Sequence, residues 1–329
     1  MASVKKNIAL VAGGNSSEWV VSVNSAREVK KMIDPEKFNC FIVFIRKEEA
    51  YVQITEDEKI PLQRADFSFT HAGEMVQFDF AYIMIHGTPG EDGILQGYFE
   101  FTGLPYSGCG VLSSAVTFDK EATKDILRNY GITMASAVLA KKLHPPSAKD
   151  IAGVTGLPCF VKPNKGGSSF GVTKVKSIEM LDAAIELAFS EDEEVLIEEY
   201  IEGIELTCGL FKSGHEDLVF PVTEIVSKNE FFDFEAKYTT GMADEITPAR
   251  VPADVSKLCQ DTASRIYDIL DCRGIVRIDF IYKERKLYFL EVNTVPGMSA
   301  NSIVPQQIRA MGLTEREVLT KVIESALPA

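Results

Sequence analysis

Residues 7–12 form a short, largely apolar run that stops at Gly13-Gly14, and over residues 17–33 apolar side chains recur at helical spacing. A buried strand that ends in a glycine corner and hands over to an amphipathic helix is the opening of an α/β layer. Asn15 or Ser16 stands where the helix cap belongs. The runs at 40–45 and 78–85 repeat the strand signature, and 93–101 places Ile94, Leu95, Tyr98 and Phe99 on one helical face. The alternation predicts an open α/β sheet with mostly parallel strands. Ligands bind such sheets beyond the carboxyl ends of the strands. Both Gly13-Gly14 and His86-Gly87 belong there.

The pattern changes after residue 118. Asp119 caps a predicted helix that reaches residue 130 and is closed by Gly131. A proline-containing loop at 143–147 precedes a strand (157–163), a glycine–serine loop (165–169), a second strand (170–175), a helix (177–189) and a strand (195–200). Residues 119–205 therefore form a small α+β unit. Strands follow at 206–211 and 218–226. The irregular stretch 229–250 has a length that is usually functional or disordered. A helix at 254–270 leads to paired strands at 275–282 and 286–292, joined by a charged turn (283–285). Thr314 with Glu317 makes a capping box for the last helix.

At 329 residues the chain exceeds one compact core and predicts two or three domains. Its net charge of −14 disfavours nucleic-acid binding, because most of its surface repels a phosphate backbone. The same charge would repel ATP unless lysines were gathered locally. No segment approaches the ~20 apolar residues of a membrane helix, and residues 1–14 are too short in apolar length for a signal peptide. No membrane association and a cytoplasmic location are expected. The six cysteines contain no CxxC pair and the four histidines lack metal-ligand spacing. Free, buried thiols are expected rather than disulfides or a thiolate zinc site.

Four constellations carry chemistry. Arg277-x-Asp279 and Glu291-x-Asn293 each put two side chains on one strand face. Asp279, Glu291 and Asn293 offer only oxygen donors, which suit Mg²⁺, and Arg277 adds a fixed positive fork. A solvated, alternately charged sheet face would look similar. The turn Pro296-Gly297 at the strand end brings backbone N–H groups near that face. In Lys162-Pro163-Asn164-Lys165-Gly166-Gly167-Ser168-Ser169 the glycines admit phosphate oxygens to the backbone. It is neither a Walker loop nor a dinucleotide fingerprint, and a plain glycine–serine hairpin is its bland alternative. Glu198-Glu199-Tyr200-Ile201 with Glu205 can accept from an adenine amino group and ribose hydroxyls, or form a solvated acidic edge. His86-Gly87-x-x-Gly90-Glu91-Asp92-Gly93 is a tight polar corner where Asp92 can cap the next helix.

In this order the four segments resemble the D-alanine–D-alanine ligase family of the ATP-grasp superfamily. HGTPGEDGILQG and RIDF…LEVNTVPGMSANS look like its two signature regions, supported by Asp119-Lys120…Lys124, FVKPNKGGSSFGV and FFDFEAKYT. The resemblance spans nearly the whole chain. It implies an ATP-grasp fold, α/β and α+β, in three domains. An N-terminal substrate domain (1–118) would precede central (119–205) and C-terminal (206–329) units that clamp ATP between two antiparallel sheets. Residues 229–250 become a mobile lid that excludes water from a labile intermediate. Lys120, Lys162 and Lys237 resemble phosphate-contacting lysines, with Ser168 and Ser169 in the glycine loop. Glu198, with Glu199 beside it, Ile201 and Glu205 resemble adenine and ribose ligands. Asp279, Glu291 and Asn293 resemble the Mg²⁺ ligands, with Mn²⁺ as a possible substitute. Arg277 and the Gly297 N–H resemble oxyanion stabilisers. Glu18 resembles the carboxylate that holds the first substrate's ammonium, with His86 beside it, and Ser302 and Ile303 the clamp on the second substrate's carboxylate. Glu18, Ser168 and Tyr238 match a trio that ties the lid down.

The implied reaction is ATP-dependent joining of two D-alanines, for peptidoglycan, by a homodimer. Trp19-Val20 and Glu199 depart from many relatives, which carry charged residues after the glutamate and sometimes a lysine at the latter place. The alternatives are a ligase for another amino-acid pair, including D-Ala–D-Ser or D-Ala–D-Lac, a nucleotide sensor without chemistry, and a nicotinamide dehydrogenase. The last lacks its glycine fingerprint.

Overall fold

The computed structural model describes residues 5–16, 18–167, 170–227 and 243–327. The first unit contains β1 (Lys6–Gly13), α1 (Trp19–Met32), β2 (Phe38–Ile45), β3 (Ala50–Gln53), β4 (Lys59–Pro61), β5 (Ser68–His71), β6 (Glu74–Gln77), β7 (Phe80–Ile83), α2 (Ile94–Thr102) and α3 (Val111–Phe118). Its sheet runs β4-β3-β2-β1-β7. The central three strands are parallel, and β3 and β4 extend the sheet antiparallel. That edge pair escaped the sequence because half-exposed residues such as Tyr51 and Lys59 blur its period. Gly13 closes β1 at φ 108°, where a Cβ would stand 2.4 Å from the Ile45 carbonyl oxygen, so only glycine fits. Neither Asn15 nor Ser16 caps α1, which has no side-chain cap. Asn15 Oδ1 accepts the Lys47 N–H and the Ser16 hydroxyl donates to the His86 carbonyl, so both are committed elsewhere.

The second unit contains α4 (Lys120–Asn129), β8 (Ala137–Lys141), α5 (Ala148–Thr155), β9 (Cys159–Pro163), β10 (Thr173–Val175), α6 (Leu181–Phe189) and β11 (Glu194–Glu199). The antiparallel sheet β10-β9-β11-β8 packs one face on α5 and α6, with Cys159, Val161, Val195 and Ile197 against Ile151, Ile185 and Ala188. Asp119 does cap α4, accepting the Ala122 N–H at 2.9 Å. Leu127 of α4, however, sits in the core of the third unit with Cys109 and Ile132.

That third unit contains β12 (Ile204–Lys212), β13 (Asp217–Val219), β14 (Thr223–Ser227), β15 (Ala243–Ile246), α7 (Ala253–Ile269), β16 (Ile275–Lys283), β17 (Lys286–Asn293), α8 (Ile303–Ala310) and α9 (Glu315–Ala326). Its antiparallel sheet runs β15-β14-β12-β16-β17, with β13 beside β12. The single strand expected over 218–226 is two, split at Phe220-Pro221, because proline has no N–H for the ladder. Cys259, Ala263 and Ile266 of α7 cover Ile278 and Phe280 of β16. The Thr314–Glu317 capping box is present. A further core joins the first and third units, packing Ile8, Leu10 and Val29 with Phe220, Met298, Val304 and Val322.

Candidate active site

Strand alternation decides what faces the cleft between the second and third sheets. β9 and β11 turn Val161 and Ile197 to their helices, so Phe160, Lys162 and Glu198 face the other way. β16 and β17 bury Ile278, Phe280 and Val292 against α7, leaving Arg277, Asp279, Glu291 and Asn293 on the opposite face. The enclosed cleft holds about 490 Å³ and is lined by Lys120, Lys162, Glu198, Glu205, Asp279 and Glu291, among others. Glu199 and Ile201 line it as well.

At its floor the buried Glu198 carboxylate pairs with two lysines, Lys124 through Oε1 and Lys162 through Oε2. Lys162, expected at a phosphate, is thus held by a carboxylate expected at adenine. Lys120 Nζ donates to the Gly166 carbonyl at 2.7 Å, beside the glycine loop. Asn164 anchors that loop to the start of α4. Its side chain accepts the Glu121 N–H and donates to Asp119 Oδ1, both at 2.9 Å.

Asp279 lies opposite Glu291 and Arg277 opposite Asn293, with a bulge beginning between Asp279 and Phe280. A bulge bends the strand and re-aims its side chains. Arg277 grips Asp279 through two bonds, Nε to Oδ1 at 2.9 Å and Nη2 to Oδ2 at 2.8 Å. Burial opposes the guanidinium charge, but the Asp279 carboxylate more than offsets it and raises the Arg277 pKa above its usual value. Thr207 donates to Asp279 Oδ1 at 2.5 Å. Asn293 Oδ1 is buried without a hydrogen-bond partner among the described residues. An orphaned amide oxygen beside two carboxylates fits a hard divalent cation. Among the described residues no three His, Cys, Asp or Glu groups cluster as a metal site.

The first unit meets the cleft at the glycine loop. Glu18 is buried, and a Cβ on Gly167 would lie 2.9 Å from its Oε2, so the glycine loop reaches this carboxylate. His86 is buried beside it, and its Nε2 has no partner among the described residues. Burial lowers the His86 pKa, with Glu18 opposing and Arg277 reinforcing the shift. Glu91 accepts the Gly87 N–H at 2.6 Å. Its pKa is pushed up to about 8, first by burial and then by Glu18 and Glu291. The backbone of Val295, just past β17, contributes to the balance of charge at both His86 and Glu91. Gly297 lies against Ser302, whose hydroxyl pairs with Ser299 at 2.8 Å. Ser302 starts α8 without capping it by its side chain, leaving N–H groups of the first turn, Ile303 included, for an anion. Trp19 lies outward, edge-on to Phe44 and under the Arg46 guanidinium.

Ser168, Ser169, Lys237 and Tyr238 lie outside the described residues, as does most of the expected lid. Sequence reasoning gave no role to Lys124, Glu91, Thr207 or Gln307. Gln307, fully buried on α8, accepts the Gly209 N–H and donates to the Thr207 carbonyl and the Thr223 hydroxyl, each at 3.0 Å. A polar residue on the apolar stripe of a helix was the available signal.

A nucleotide-sized cleft between two antiparallel sheets from successive units is the ATP-grasp architecture, and the chain is an ATP-grasp protein. Residues 7–109 match the family described as D-ala D-ala ligase N-terminus, and residues 126–324 that described as D-ala D-ala ligase C-terminus. The chain belongs to the D-alanine–D-alanine ligase family. It is 51% identical to a D-alanine–D-alanine ligase of Bacteroides fragilis over 98% of this chain and 99% of that protein. A Flavobacterium johnsoniae D-alanine–D-alanine ligase is 44% identical over the same shares of the two chains. Among solved structures, the VanG D-Ala:D-Ser ligase from Enterococcus faecalis superposes with a TM-score of 0.87 at 35% identity, covering 98% of this chain and all of that one. A Bacillus anthracis D-alanine–D-alanine ligase complexed with ATP gives 0.79 at 29% identity over 98% and 97%.

Proposed function

We propose that the chain joins two D-alanine molecules at the expense of ATP, forming D-alanyl-D-alanine for peptidoglycan. What carries this is a cleft lined by Lys120, Lys162, Arg277, Asp279 and Glu291 whose glycine loop meets Glu18 at Gly167. The first D-alanine's ammonium pairs with Glu18. Its carboxylate attacks the γ-phosphorus of ATP, and ADP leaves. The second D-alanine sets its carboxylate on Ser302 and the start of α8, and its amine attacks the acyl carbon of the resulting acyl phosphate. The oxyanion is met by Arg277 and the Gly297 N–H before phosphate departs. Orientation and charge stabilisation supply most of the protein's share in such a reaction. Asp279, Glu291 and Asn293 would hold Mg²⁺, which when bound neutralises phosphate oxygens. Lys120, Lys162 and Lys237 with Ser168 and Ser169 meet the phosphates, and Glu198, Glu199, Ile201 and Glu205 the adenosine. Tyr238 with Glu18 and Ser168 closes the lid.

ADP release measured with D-alanine, L-alanine, D-serine and D-lactate as substrates, with and without Mg²⁺, tests this. Turnover on D-alanine that requires the metal is expected. Preference for D-serine as the second substrate would favour the specificity in the VanG name instead. The chain acts as a cytoplasmic homodimer. No helix among the described residues is long and apolar enough to cross a membrane. The α2–α3 surface leaves Phe101 89% and Leu112 77% exposed, beside Ile94 and Val111, which suits a partner copy.

A further inference from the structure

Behind the cleft, between the first and third units, lies a larger cavity of about 760 Å³ whose wall includes Ser107, Gly108, Cys272, Arg273 and Gly274. Here two chain segments touch directly. A Cβ on Gly274 would stand 2.7 Å from the Gly108 backbone nitrogen. Cys109 Sγ accepts the Arg273 N–H at 3.5 Å and lies 3.7 Å from the Arg273 carbonyl oxygen. Cys272 directly precedes Arg273, and the Cys109 and Cys272 side chains pack in one buried cluster. Both are free, although the two residues are far apart in sequence.

We propose that Cys109 and Cys272 form a dithiol site that a two-electron oxidant of the peroxide class converts reversibly to a disulfide, stapling the segment before α3 to the turn that feeds β16. The sulfur of Cys109 attacks one oxygen of hydrogen peroxide, the O–O bond breaks, and the departing hydroxide takes the thiol proton to leave as water. Cys272 sulfur then attacks the Cys109 sulfenic sulfur, the S–O bond breaks, and the second hydroxide leaves as water with the Cys272 proton. Two thiols and one peroxide become one disulfide and two waters. The neighbouring Cys272 thiol lowers the Cys109 pKa, which favours it as the attacking sulfur. The cavity beside Cys272 admits a small oxidant.

The other thiols are poorer candidates. Burial pushes the Cys208 thiol up to about 12 and raises that of Cys259 well above its ordinary value. Cys40, the one half-buried thiol, is likewise pushed up to about 12, first by burial. The site does not depend on which amino acids the cleft joins.

The test is limited peroxide treatment of the whole wild-type protein, followed by alkylation and non-reducing peptide mapping. The expected result is loss of two of the six thiols before the rest, a Cys109–Cys272 linked peptide, and full return of both thiols with dithiothreitol. Cys272→Ser should abolish the linked peptide, and Cys40→Ser should leave it unchanged. Uniform loss of all thiols, sulfinic acid at Cys109 without a cross-link, or a bridge between other cysteines would each overturn the proposal.

Discussion

At the scale of single residues, the metal corner is the most exacting part of the site. Asp279 already answers to Arg277 and Thr207, so removing it unpairs a partly buried guanidinium as well as taking away a proposed metal donor. Asp279→Ala or Glu291→Ala is expected to lower kcat at least 10³-fold, a loss of about 4 kcal/mol or more in transition-state stabilisation. ADP release with saturating D-alanine checks it, and circular dichroism shows whether the fold survives. Glu91 permits a pH experiment. Its carboxyl binds a proton more tightly in the folded chain than in the unfolded one, so stability falls as pH rises from about 4.5 towards about 8. Glu91→Gln removes this term. Its thermal midpoint relative to wild type should improve steadily across that window and level off above it. A constant difference between the two proteins from pH 5 to 9 would show that Glu91 titrates normally. The ligand-type residues were legible because their spacing of two on a strand fixes a shared face. Lys124 and Glu91 were not, because their surroundings come from strands distant in sequence.

At the scale of elements, the strands and helices whose apolar period is unbroken were readable: β1, α4, α7, β16 and β17 fall within a few residues of their sequence bounds. The short strands β3 to β6 were not, since strands of three or four residues are too short to show a clean alternation. Nor was α8, whose Pro305 in the first turn looks like a loop residue but is tolerated there. That helix begins at Ser302 and Ile303, proposed above to meet the second substrate, and Gln307 keys it to β12. Gln307→Ala leaves the Gly209 N–H unsatisfied in the core and should cost about 1–3 kcal/mol in urea unfolding. It should also raise KM for the second D-alanine more than it changes kcat, while KM for ATP stays within about twofold. Equal loss on both substrates would assign Gln307 a purely structural part.

At the scale of the whole molecule, the expected boundaries at residues 118 and 205 describe the sheets better than the cores. The first and third units share one core, and α4 packs with the third although it follows the first boundary. The second sheet keeps a core of its own. Sequence periodicity reports which face of an element is apolar but not which neighbour covers it, so this partition had to come from the structure. The exposed α2–α3 face yields a prediction at this scale. On the proposed homodimer, Phe101→Glu or Leu112→Glu should halve the mass seen in light scattering, and an unchanged mass would show that this face is not a dimer contact.

The grip of Arg277 on Asp279 bears on how the site loads. Fork and carboxylate largely neutralise one another, so a guest of either sign must first break that pair. A cation that claims the aspartate frees the arginine for an anion, and an anion that draws the arginine away frees the aspartate for a cation. On the proposed reading each guest would make room for the other, and nucleotide and metal would enter more readily as a single neutralised package than one by one.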